Sequence, residues 1–186
     1  DNAFVAGRAV TAQVTFDGPT RSFPFRNGEG EFHVTGTVED ATLHYGKGWP
    51  DLEQVSADVA FHNAGFEVTL LSGQVHGLQL LAGAQAHMPD LAGAELTVSA
   101  KARGDLGAGL ALLRQSPIGP RLGRAFADLR GAGATAVQLD LFLPIKRMAD
   151  RTYTVVADLG AGRGGSRLSL RGTEHELRAL QGRLTV

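Results

Sequence analysis

Six histidines, nineteen acidic side chains and one glycine-rich run are the parts of this sequence from which a reactive or ligand-holding site could be built. His33, His44 and His62 fall on the polar side of neighbouring expected strands, where cross-strand approach could bring imidazoles to one divalent cation. No His-x-His or His-x-x-x-His pair supports them and carboxylate partners are scattered, so exposed surface histidines are the plainer reading and no metal is expected. General acid–base chemistry needs two carboxyls whose surroundings push their pKa values apart. Glu29 with Glu31 and Glu39 with Asp40 are close in sequence, but the first pair would share the solvent face of a strand. Asp90, Asp140 and Asp158 alternate against apolar neighbours in the same way. The run Gly160-Ala161-Gly162-Arg163-Gly164-Gly165 fits G-x-G-x-x-G, whose mechanism requires a helix directly after it to hold a pyrophosphate. Ser166-Arg167-Leu168-Ser169-Leu170-Arg171 alternates like a strand instead, so a flexible hairpin loop is expected there. No Gly-x-Ser-x-Gly elbow occurs, Ser116 precedes a proline, and the absence of cysteine removes thiol nucleophiles, disulfides and zinc–thiolate sites. Neither an enzyme nor a cofactor is expected.

The elements that would have to position such groups point elsewhere. Val55, Ala57, Val59 and Phe61 alternate with Gln54, Ser56, Asp58 and His62, and Phe66, Val68 and Leu70 follow after a hairpin at Asn63-Ala64-Gly65. Successive strand side chains point to opposite faces, so this pattern makes a sheet oily on one side and wet on the other. It recurs at 10–16, 32–38, 41–45, in a glycine-interrupted pair near 74–83, and at 94–100, 137–143, 153–159, 168–170 and 180–186. About eleven strands result. Leu52-x-x-Val55-x-Ala57-x-Val59-x-Phe61 and Leu177-x-x-Leu180-x-Gly182-x-Leu184-x-Val186 share one spacing, which suggests a sheet extended by similar units.

Residues 105–130 change period. Asp105 can cap a helix through Leu106, Leu110 and Leu113 that Pro117 stops; Pro120 can open a second through Leu122, Ala125, Phe126 and Leu129, closed by Gly131. Each has a single apolar stripe, so each should pack on the sheet or cover one end of it. Arg121, Arg124 and Arg130 would form a solvated face, and Trp49, in a turn, should pack down onto the sheet. With 18 basic against 19 acidic residues, no overall field draws in nucleic acid. Neither a membrane span nor a signal peptide is expected, and the chain, starting at Asp1 and stopping within an alternating run, reads as an excerpt of something longer.

Two stretches are more specific than the strands. Ala41-Thr42-Leu43-His44-Tyr45-Gly46-Lys47-Gly48-Trp49-Pro50-Asp51-Leu52, running on to Ala57-Asp58-Val59-Ala60-Phe61-His62-Asn63-Ala64, resembles the middle region of the YhdP family of AsmA-like proteins. So does Leu112-Leu113-Arg114-Gln115-Ser116-Pro117-Ile118-Gly119, continuing to Leu139-Asp140-Leu141-Phe142-Leu143-Pro144; together the likeness covers about residues 25–150. The resemblance implies a long protein of Gram-negative envelopes, anchored in the inner membrane by one N-terminal helix, whose β-groove bridges the periplasm and carries phospholipid toward the outer membrane. It implies no catalytic motif.

The expected fold is therefore mainly β: an extended, curved antiparallel sheet, a groove or gutter of about eleven strands, with two short helices inserted near 105–130 in a single segment over 1–186. Its expected role is one piece of a periplasmic lipid bridge, lined by Val55, Val59, Phe61, Phe66, Val68, Leu70, Leu96, Val98, Leu139, Leu141 and Val155. Its partners would be phospholipid acyl chains and the rest of the same polypeptide at both ends, with membrane contact only through parts outside this chain. The alternative is a closed structural or adhesive β-domain of the envelope whose apolar face is simply its core. Both demand the same alternation.

Overall fold

The computed structural model describes residues 4–45, 47–117, 119–121, 123–159, 165–171, 176–180 and 183–185. Alternation becomes strand along most of it: β1 (Phe4–Asp17), β2 (Glu31–Leu43), β3 (Leu52–His62), β4 (Gly65–Val75), β5 (Leu78–Leu80), β6 (Gln85–Met88) and β7 (Glu95–Asp105) precede the only long helix among the described residues, α1 (Leu106–Gln115). After it come β8 (Leu129–Ala132), β9 (Ala134–Pro144), β10 (Thr152–Asp158), β11 (Ser166–Leu170), β12 (Glu176–Leu180) and β13 (Arg183–Thr185). Nine strands form one antiparallel sheet in the order β1-β2-β3-β4-β5-β7-β9-β10-β13, with β6 filling in between β4 and β7; β12-β11-β8 make a separate small sheet. The main sheet follows chain order, with β8, β11 and β12 left to the small sheet. His76 (φ 48°) and Gly77 (φ 79°) supply the left-handed pair that a two-residue β4–β5 turn needs.

A line of irregularities crosses the first strands. Register slips after Val38 in β2, where Asp40 takes φ 50°, and after Glu53 in β3, where Gln54 takes φ 52°; β1 slips opposite them between Ala9 and Thr11. An extra residue flips the side-chain parity, which keeps Val38 with Ala41, and Leu52 with Val55, on one face. Bulges also bend strands and increase their twist, so aligned bulges curve the sheet there. Phe32–Val38 and Ala41–Leu43, read separately in the sequence, are thereby one strand, and Tyr45 lies beyond it.

Several expectations need correction. The described strands outnumber eleven because β6 and β8 have four residues each, too few to show a period. The second helix does not form as a helix of its expected length: a single turn covers Gly123–Ala127, and Leu129 belongs to β8. Pairing of Leu129–Ala132 with β11 takes the end of its stripe into a sheet, and Gly123 sits at φ 79°, outside helical space. Leu122 lies outside the described residues. The glycine run at 160–164, expected as a hairpin loop, also lies outside them; the described strands on either side, β10 and β11, belong to different sheets. The second copy of the apparent repeat is likewise divided, Leu177 and Leu180 in β12 and Leu184 in β13.

The loop between β1 and β2 is fastened across the sheet. Phe16, Phe23, Phe25 and Phe32 cluster with ring centroids 5.3–6.2 Å apart, and Phe25 is 1% exposed. From this loop Arg26 donates two parallel hydrogen bonds of 2.9 Å to Asp90, in the turn after β6 rather than on a strand. Those bonds, helped by the Ala92 amide, hold the Asp90 carboxyl down at about 2. A folded-state value below the ordinary one means that the link is intact above the usual carboxylate range and is lost as pH falls through about 2. Carboxyl NMR of Asp90 should give a midpoint near 2, moving up toward about 4 in Arg26→Ala; a wild-type midpoint already near 4 would contradict the link. No helix among the described residues is long and apolar enough to cross a membrane.

Candidate functional site

Residues directly opposite one another in antiparallel strands share a face, so the register can be followed across the sheet. One row runs Ala12, Gly36, Val59, Val68, Ala86, Val98, Leu141, Tyr153, from β1 to β10. The row on one side holds Val14, Val34, Phe61, Phe66 and Met88, with Leu96 opposite Leu143 further along. On the other side lie Val38, Ala57 and Leu70, then Ala100, Leu139 and Val155. With Val55, which clusters with Ala57 and Leu70, all eleven residues expected to line a groove stand on this one face. The opposite face is polar, with Thr37 donating to Asp58 at 2.7 Å and Ser99 to Asp140 at 2.8 Å.

What covers the apolar face differs along it. Val55, Leu70 and Val155 are buried; the other eight, Val59, Phe61, Phe66, Val68, Leu96, Val98, Leu139 and Leu141, are half-buried. The cluster of Ala41, Val55, Ala57 and Leu70, with Val38, Leu43, Leu52, Val68, Leu80 and Ala84 against it, is drawn wholly from the sheet and its connections. Neighbours within the sheet bury it. At the Val75 and Leu78 end the cover is α1, whose Ala108 and Leu112 pack against Val75, Leu78 and Ala102.

The helix is held there by its sequence. Asp105 caps it, accepting from the Gly107 amide at 2.8 Å, and its second oxygen accepts from the Gly133 amide at 2.9 Å, tying the helix start to the β8–β9 turn. A Cβ on Gly131 of β8 would stand 2.6 Å from the Leu106 Cγ, so only glycine lets that strand lie on the helix. Ser116 ends the helix before Pro117, as expected. Asp105→Ala should cost about 1–2 kcal/mol, read from urea midpoints. No loss at all would show that the cap is dispensable.

Between α1 and the sheet lies an apolar cavity of about 90 Å³ whose walls include Trp49, Leu78, Leu110, Val137 and Val155. Trp49 stands 5.9 Å from Tyr45 and packs toward the sheet, as its place in a turn suggested.

The reactive groups do not converge. His33 and His62 are cross-strand partners with rings 5.8 Å apart, but His44 is at the other end of β2 and contacts Asp51 at 2.7 Å. No group of three potential metal ligands occurs among the described residues. Glu29 precedes β2 rather than sharing a strand face with Glu31, and hydrogen bonds from Asn27 hold its carboxyl below the usual range. Glu39 pairs with Arg8 at 2.7 Å. Sequence reasoning missed the Arg26–Asp90 link, which has no local signal, and the space beside Gly109 within α1.

A family model described as YhdP protein matches residues 1–186. The intermembrane phospholipid transporter YhdP of Escherichia coli (strain K12) is 24% identical over 143 residues, a match that covers 77% of this chain and 11% of that protein. The chain thus spans about a tenth of that relative's length. No solved structure matches.

Proposed function

Because this chain belongs to the YhdP family, we propose that it is one segment of a lipid-conducting β-groove, carrying phospholipid across the periplasm between the inner and outer membranes. The observation that carries this reading is the row Val59, Val68, Ala86, Val98 and Leu141, half-buried and contiguous across the sheet, whereas α1 packs at the Val75, Leu78 and Ala102 end of the face. Hydrocarbon is the natural cover for such a row. An acyl chain of about sixteen carbons, at ~0.8 kcal/mol per buried methylene, gains on the order of 10 kcal/mol gross from an apolar lining and needs no polar partner. That suits passage better than tight capture. The groove would continue through the rest of the polypeptide at both ends, and the membrane anchor would lie outside this segment. No catalytic step is part of this reading.

A second reading, a closed β-domain without ligand, draws on Val55, Leu70 and Val155, at 2%, 7% and 5% exposure, which are packed as core. Native mass spectrometry of the purified segment separates the two. Retained phospholipid, released by organic extraction, is the expected result; a bare polypeptide after gentle purification favours the closed domain.

A further inference from the structure

Gly109 is an anomaly of packing. It is buried in the middle of α1, yet a Cβ built on it meets nothing within 4 Å. Other glycines nearby are filled to the limit: a Cβ on Gly104 would stand 2.6 Å from Leu78 Cδ2, and one on Gly107 would stand 2.6 Å from the Gly131 carbonyl oxygen. Close approach therefore explains those two and leaves Gly109 unexplained. Glycine is also the poorest residue for a helix interior after proline, since it loses the most backbone freedom. Alanine would fit and hold the helix better.

The space that Gly109 leaves belongs to the cavity of about 90 Å³ between helix and sheet. A water there would find almost no polar partner, so the space suits a few methylenes of an alkyl chain. The cavity's floor includes Ala100, Leu139 and Val155. Their neighbours on the same face, Val98, Leu141 and Tyr153, belong to the half-buried row. Hydrocarbon lying on that row can run under the helix without meeting a polar group.

We infer that the cavity opened by the missing side chain of Gly109 seats the methyl end of a lipid tail, a role that rests on the groove reading above. α1 is then a roof with a notch for the tail end. The phosphate and glycerol remain outside, since the cavity offers them no donor.

Trp49, the single tryptophan, lines this cavity, so its fluorescence reports on occupancy. The probe is phosphatidylcholine in vesicles, brominated either near the tail's methyl end or near its carboxyl end. Tail-end bromines should quench Trp49 more strongly than carboxyl-end ones. Gly109→Leu, which fills the notch, should remove that difference and weaken lipid retention by about tenfold or more, the factor for a few methylenes returned to water. Gly109→Ala should raise the melting temperature while keeping most of the quenching, which guards against reading a folding defect as lost binding. Lipid retained with position-independent quenching, or Gly109→Leu retaining lipid as the wild type does, overturns the notch and leaves the groove standing. If the wild-type segment retains no lipid, both fail.

Discussion

Val98→Glu is expected to abolish phospholipid retention and leave the fold standing. Val98 lies in the middle of the apolar row, between Ala86 and Leu141, and is half-buried. A glutamate there can lift its carboxylate to water in the empty protein, so the cost to folding should stay within about 1–2 kcal/mol. With a hydrocarbon tail laid over it the same carboxylate loses that water, and an unpaired charge against hydrocarbon costs several kcal/mol or neutralises. Retention should fall by about a hundredfold or more. Lipid extraction beside a urea melt reads both quantities. A variant that unfolds outright would mark Val98 as closed core, and one that keeps its lipid would show that the tails lie elsewhere.

Leu78→Ala should have the largest effect on stability, about 2–5 kcal/mol. Leu78 is 1% exposed, packs with Val75 and Ala102, and has Ala108 and Leu112 of α1 against its cluster. Its Cδ2 also fills the space that the missing Cβ of Gly104 leaves, so no neighbour can move in when the branches are removed. The cavity beneath α1, which Leu78 already borders, would grow. The loss should appear as a lower urea midpoint with an unchanged slope. A cost under about 1 kcal/mol would mean that α1 is not packed on the sheet as described.

These two positions show what the sequence could and could not tell. Val98 was legible because alternation needs only neighbours: once strand period is recognised, parity assigns a face, and antiparallel hairpins carry that face from strand to strand. The bulges at Asp40 and Gln54 reset parity, which is why Leu52 and Val55 both face inward although alternation alone would part them. The fate of 120–132 was not legible, since Leu122, Ala125, Phe126 and Leu129 fit a helical stripe while Leu129–Ala132 pairs with β11, more than thirty residues away. Long-range pairing overrode local period. The cover over the apolar face was equally hidden, because open and closed sheets share one pattern and no local signal places α1 on the Val75 and Leu78 end. Arg26 and Asp90, 64 positions apart, carry no local signal of their pairing.

Site-specific photo-crosslinking tests the central claim most directly. A photoreactive phenylalanine analogue at position 59 or 68 stands on the apolar row, and one at 58 or 69 stands on the opposite face of the same two strands, so each pair shares fold and expression and differs in face alone. Phospholipid adducts from 59 and 68, with none from 58 and 69, are the expected result. Adducts from neither face, or equally from both, would contradict a lipid path along the apolar side of this sheet.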